Sequence, residues 1–142
     1  MKICEIMNRN VVSVSPEETV SLAARLLARH NIGSLPVCTA EGKLRGVLTD
    51  RDIVLRCVAA DMDPKTAKVR DVMSMGILTV SPGDEPAEAG RKMAEGQVRR
   101  LPVVEKGNLV GVLSLGDLAV HRGTDMEAAK ALGEISSNFR SL

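Results

Sequence analysis

Gly46-Val47-Leu48-Thr49-Asp50-Arg51-Asp52 returns 65 residues later as Gly111-Val112-Leu113-Ser114-Leu115-Gly116-Asp117. Each stretch reads as an apolar strand running straight into a helix, with a hydroxyl at the junction and a carboxylate three positions on. Upstream the match continues at an offset of 66: Met7 on Met73, Ser15-Pro16 on Ser81-Pro82, Leu35-Pro36-Val37 on Leu101-Pro102-Val103. One residue is lost where Thr39-Ala40-Glu41-Gly42 faces Glu105-Lys106-Gly107. Agreement that survives a single deletion indicates an internal duplication. The period is too long, and two copies too few, for a solenoid. A unit of about 60 residues buries only about 60% of its unfolded surface and is marginal alone. The two repeats are therefore expected to pack on each other about a pseudo-twofold axis.

Each repeat follows one order, β-α-β-β-α, which places the fold in the α/β (α+β) class. A short β segment, Val11 to Val14 or Ile77 to Val80, stops at Ser-Pro. Val20, Ala23, Ala24 and Leu27 then recur at i, i+3, i+4 and i+7, the stripe of an amphipathic helix, with Thr19 as its N-cap. Pro86 suits the first turn of the matching helix, where its missing N–H costs nothing. Strand pairs follow, Ser34 to Cys38 with Leu44 to Thr49 and Leu101 to Glu105 with Leu109 to Ser114, joined by loops of hairpin length. Second helices run from Asp50 to about Ala60 and from Leu115 to about His121. The expected division is repeat one over 1–61, a linker over 62–71, repeat two over 72–122 and a C-terminal segment over 123–142. Thr124-Asp125 would cap a last helix reaching about Leu132, with Gly133 ending it. Its face of Ala128, Ala131 and Leu132 is thin.

Composition narrows the functions. Of 142 residues, 44% are apolar and 26% charged, and 19 Lys and Arg against 18 Asp and Glu leave a net charge of +1. That balance argues against a nucleic-acid partner, which rewards a basic excess. With no Trp, no Tyr and only Phe139, the chain cannot stack bases on aromatic platforms, and its core must be aliphatic. Cys4, Cys38 and Cys57 form no CxxC pair, and His30 and His121 add no ligand spacing, so neither a zinc site nor a disulfide framework is expected. No stretch has the roughly 18 apolar residues of a membrane helix, and the N-terminus lacks a signal-peptide apolar region. The expected location is the cytoplasm.

The repeated junction carries the chemistry. The free N–H groups at a helix start favour anions; a carboxylate there can accept from both hydroxyls of a ribose, and the Thr or Ser hydroxyl can reach sugar or phosphate. The same [Ser/Thr]-x-x-Asp spacing is also a capping box, with Asp52 turned back to the Thr49 N–H. Both readings stand at this point.

Taken together, the duplicated unit, the Leu-Pro-Val strand and the Gly-h-x-[Thr/Ser]-x-x-Asp ending resemble a tandem pair of cystathionine-β-synthase (CBS) domains over residues 5–121. Leu48 to Ile53 and Val98 to Val103 look like signatures of small stand-alone bacterial CBS-pair proteins. The resemblance implies clefts that bind adenosine-containing ligands: AMP, ADP, ATP, NAD or S-adenosylmethionine, with AMP and ATP foremost and no cofactor required. It assigns Asp52 and Asp117 to ribose diols and Thr49 and Ser114 to ribose or phosphate. Val12, Ser13, Leu78 and Thr79 would line the adenine, and Leu35-Pro36 and Leu101-Pro102 would stand in the opposite wall.

The repeats differ where phosphate would lie. Arg99-Arg100 precede Pro102 where Gly33-Ser34 precede Pro36, and Asp50-Arg51 stand against Leu115-Gly116. Arg51, Arg99 and Arg100 are thus the candidate phosphate donors, because planar guanidinium forks suit phosphate oxygens. The expected function is a regulatory sensor, not an enzyme: no nucleophile–base pair is spaced for catalysis, and a catalytic barrel alone needs about 250 residues. The competing reading is a ligand-free dimerisation scaffold or protein-interaction module. Helices rich in Ala and Met predict a homodimer with the C-terminal segment near its interface; no protein partner can be named.

Overall fold

The computed structural model describes residues 1–121 and 125–139. The element order is α1 Val20–His30, β1 Ser34–Cys38, β2 Leu44–Thr49, α2 Asp50–Ile53, α3 Val69–Val72, α4 Pro86–Gly96, β3 Arg100–Glu105, β4 Asn108–Ser114, α5 Leu115–Val120 and α6 Asp125–Phe139. Each helix–hairpin–helix run appears where the periodicity puts it. Thr19 caps α1 as expected, its hydroxyl accepting from the Leu22 N–H at 3.1 Å, and Pro86 opens α4.

Both sheets are two-stranded and antiparallel, β1 with β2 and β3 with β4. Their registers correspond: Leu35 faces Leu48 and Leu101 faces Leu113, and each hairpin carries a bulge one residue after its Val–Gly pair. The turn between β3 and β4 is Lys106-Gly107, both at positive φ (51° and 82°), as the right-handed twist of a two-residue hairpin demands.

Three expectations are corrected. The segments Val11–Val14 and Ile77–Val80 are not strands; each contributes one parallel bridge, Val14 to Val37 and Val80 to Val103. The second helix of the first repeat is α-helical only to Ile53 and widens into a π-turn over Val54–Val58, where the Ala59 N–H reaches the Val54 carbonyl. The last helix does not stop at Gly133 but continues to Phe139, because Ile135 is as fully buried as Ala128 and Ala131. Leu132, expected on the packed face, is exposed. The Thr124-Asp125 cap lies outside the described residues.

Two compact units emerge, and they are not the two sequence halves. The central unit is Val12–Ile77; the closing unit joins Met1–Val11 to the chain from Leu78 onward. Each sheet therefore receives its third edge from the lead-in of the other repeat. In the central unit Ser74 pairs with Val47, and in the closing unit Asn8 pairs with Val112. The stretch expected as linker contains α3, whose Val69 and Val72 are fully buried in the central core.

The cores are aliphatic. Val20, Ala23 and Leu27 of α1 meet Leu35, Val37, Leu48 and Cys57 in the central unit. In the closing unit Ile3, Ala89, Met93, Leu101, Leu113, Leu118 and Ala131 form the counterpart. There α6 packs on α4 and α5. Gly90 permits this contact, since a Cβ there would come within 3.3 Å of Glu127.

Candidate functional site

Both repeated junctions fold as full capping boxes. In the central unit Thr49 Oγ1 accepts from the Asp52 N–H at 3.0 Å, and Asp52 Oδ2 accepts from the Thr49 N–H at 3.0 Å. In the closing unit Ser114 Oγ accepts from the Asp117 N–H at 3.0 Å, and Asp117 Oδ2 from the Ser114 N–H at 2.8 Å. A β-strand delivering a hydroxyl residue at extended φ and ψ directly to a helix start makes this geometry almost automatic.

The two carboxylates then part ways. Asp52 is buried, 7% exposed, and its Oδ1 accepts from the Ser74 hydroxyl at 3.0 Å. Both of its oxygens are thus engaged within the protein. Asp117 is half-buried. The position matching Ser74 in the closing unit is Asn8, whose side-chain oxygen accepts from the Asn10 N–H instead. The other oxygen of Asp117 has no hydrogen-bond partner among the described residues.

Arg99, Arg100 and Ser114 line one open groove of about 600 Å³, together with Leu115, Gly116, Ala119, Ala128, Ala129 and Leu132. The lining thus combines two cations with aliphatic side chains. The backbone at the junction is pinned by the Leu115 N–H, which donates to the Arg99 carbonyl at 2.8 Å. In the central unit the Asp50 N–H makes the same bond to the Gly33 carbonyl at 3.0 Å. There the exposed Asp50 carboxylate takes the Arg51 N–H on Oδ1 at 2.8 Å. Its other oxygen lies 3.4 Å from where a Cβ of Gly33 would be. Arg51 is exposed.

The remaining expected wall residues divide. Leu35, Pro36, Leu101 and Pro102 are buried, and the two proline carbonyls accept from the N–H groups of Val14 and Val80. The side chains of Leu35 and Leu101 belong to the two cores. Val12 and Leu78 pack on the rims of the two cores, Ser13 is exposed, and the Thr79 carbonyl accepts from Lys92 Nζ at 2.7 Å. Sequence reasoning missed the wall supplied by α6 and the Ser74–Asp52 bond. The offset that aligns Met7 with Met73 also sets Asn8 against Ser74, but no spacing in the sequence brings Ser74 to Asp52.

Among the described residues no three His, Cys, Asp or Glu side chains gather to hold a metal ion. All three cysteines are free thiols, and burial pushes the Cys38 thiol above its ordinary pKa. No described helix is long and apolar enough to cross a membrane.

A CBS-domain family model matches this geometry twice, over residues 3–59 and 69–122. The chain belongs to the CBS-domain family. Its repeats are two CBS motifs, each ending in one of the capped junctions. The CBS domain-containing protein YhcV of Bacillus subtilis is 43% identical over 132 residues, 93% of each chain. Hypoxic response protein 1 of Mycobacterium tuberculosis is 40% identical over 117 residues, 82% of each. A crystal structure of Hypoxic Response Protein I with two coordinated zinc ions matches at TM-score 0.80 and 38% identity, covering 86% of this chain and 99% of that one. A CBS domain pair solved with 5′-methylthioadenosine and S-adenosyl-L-methionine shares the fold at TM-score 0.73 and 22% identity, over 84% of this chain and 93% of the other. CBS-pair proteins are regulatory modules, and the relatives YhcV and Hypoxic response protein 1 are matched over most of their own length.

Proposed function

We propose that this CBS pair is a non-catalytic sensor of an adenosine-containing ligand, acting in the cytoplasm, with its principal site in the groove of the closing unit. The observation that carries the reading is the convergence of Arg99, Arg100 and Ser114 on one groove whose remaining lining is aliphatic or glycine. Guanidinium forks suit phosphate oxygens. Leu115, Ala119 and Leu132 offer the apolar surface a base needs in a chain without Trp or Tyr. The unengaged oxygen of Asp117, three positions after the groove-lining Ser114, is the acceptor for a ribose hydroxyl in this reading. A pair of the same fold holds two adenosine derivatives, so the architecture accommodates this chemistry.

A thermal-shift panel of AMP, ADP, ATP, NAD and S-adenosylmethionine tests the reading. A ligand present at about 100 times its Kd adds roughly 2.7 kcal/mol, a shift of several degrees. A flat response to all five would reject it in favour of the scaffold.

The scaffold reading rests on a separate observation. Val54, Leu55 and Val58, on the π-turn that follows α2, are 56%, 50% and 61% exposed, an apolar face unusual in a monomer of this size. A homodimer that buries it is compatible with ligand binding, and light scattering at micromolar concentration should give twice the 15.2 kDa chain mass. A mass of one chain would remove the dimer from the proposal.

A further inference from the structure

We infer that each chain takes a single phosphate-bearing nucleotide, in the closing unit, and that Asp50 bars phosphate from the equivalent place in the central unit. The inference rests on the adenosine reading above and adds the charge class of the ligand and its stoichiometry. The two junctions share their backbone: equivalent N–H groups donate to equivalent carbonyls, Leu115 to Arg99 and Asp50 to Gly33. Besides the lining that α6 adds in the closing unit, differences in what they bind must therefore come from side chains.

Those differences are concentrated at four positions. Arg99 and Arg100 in the closing unit correspond to Gly33 and Ser34, and Leu115 and Gly116 correspond to Asp50 and Arg51. The closing unit thus sets two cations beside one carboxylate, Asp117. The central unit sets one cation, Arg51, beside two carboxylates. Asp50 stands over Gly33, the position from which Arg99 projects in the other unit, so an incoming phosphate would meet a like charge there, a juxtaposition that costs affinity rather than adding it. The acceptors diverge in the same sense, since Asp52 has both oxygens engaged whereas Asp117 keeps one. Two independent features, the phosphate side and the sugar side, select the same unit. Asp50, which the sequence sets next to the candidate phosphate donor Arg51, becomes the residue that determines specificity by exclusion.

Titration calorimetry of the full chain with AMP and with adenosine tests the inference. The expected result is one AMP per chain, bound at least about 10-fold more tightly than adenosine. Arg99→Ala/Arg100→Ala should erase that difference, because the bonds that favour AMP over adenosine are those to phosphate. Asp50→Asn, which removes the charge and keeps the shape at an exposed position, should reveal a second, weaker AMP event. Two equivalent AMP sites in the unaltered chain, AMP no tighter than adenosine, or no second event in Asp50→Asn would each overturn the inference while leaving the adenosine reading in place. Silence from both compounds would sink the adenosine reading, and the inference with it.

Discussion

Replacing Asp52 by Ala is expected to lower folding stability by about 2–4 kcal/mol and to leave ligand affinity of the folded protein nearly unchanged. The substitution removes two things at once. The Thr49 N–H loses its acceptor, which is half of the α2 capping box, and the Ser74 hydroxyl loses the carboxylate that holds it at 3.0 Å. Loss of a cap costs about 0.5–2 kcal/mol, and a hydrogen bond to a charged group contributes about 1.5–3 kcal/mol. At a few degrees per kcal/mol for a chain of this length, the melting temperature should fall by about 10 °C. Asp117→Ala carries the opposite signature. It loses only the cap, about 0.5–2 kcal/mol, but it also removes the acceptor assigned to the ribose, so AMP affinity should drop about 10-fold to 100-fold, at about 1.4 kcal/mol per decade. Calorimetry and melting curves on the two variants decide the matter. Equal affinity losses would return both aspartates to the ligand, and unchanged affinity in both would leave them as helix caps only.

Gly46→Ala should be among the most damaging single-methyl additions in the chain, costing about 3 kcal/mol or more. A Cβ at Gly46 would lie 2.4 Å from the Ser74 carbonyl oxygen. That carbonyl is backbone, and it accepts from the Val47 N–H at 3.0 Å while the Ser74 N–H donates to the Val47 carbonyl at 2.9 Å. Relieving the clash means breaking this two-bond bridge and withdrawing the segment that carries Met73 and Ser74. Gly111→Ala is the internal control. Its nearest neighbour, at 2.7 Å, is the sulfur of Met7, the far end of a flexible side chain, with the Asn8 carbonyl at 3.0 Å. It should cost about half as much. Because Gly46→Ala and Asp52→Ala both act through Ser74, their combined effect should fall short of the sum. Urea titrations measure all three, and a Gly46→Ala variant within about 0.5 kcal/mol of the parent would show that the Ser74 edge does not hold the central unit together.

The capped junctions and hairpins were legible because they are local. A Thr or Ser three residues before Asp fixes its own helix start, and Lys106-Gly107 fixes its own turn, whatever the rest of the chain does. The β-branched run Val11-Val12-Ser13-Val14 misled for the complementary reason: strand character needs a partner ladder, and only Val14 finds one. Gly133 misled likewise, since the burial of Ile135 outweighs the roughly 1 kcal/mol that a helical glycine costs.

The duplication, the α+β order, the family and the identity of the charged residues at each junction can all be read from the linear chain, since they depend on residue type and spacing. Folding alone decides which lead-in segment serves which sheet, and with it the fate of the two aspartates. A hydroxyl arrives at Asp52 from Ser74, 22 positions away along the chain, while the matching Asn8 turns aside to its own backbone. The groove also exists only in three dimensions, because α6 lies outside the repeat and brings Ala128, Ala129 and Leu132 into one lining with Arg99 and Arg100. Contacts of that kind are chosen by which apolar faces bury each other, and no pattern within either repeat encodes the choice.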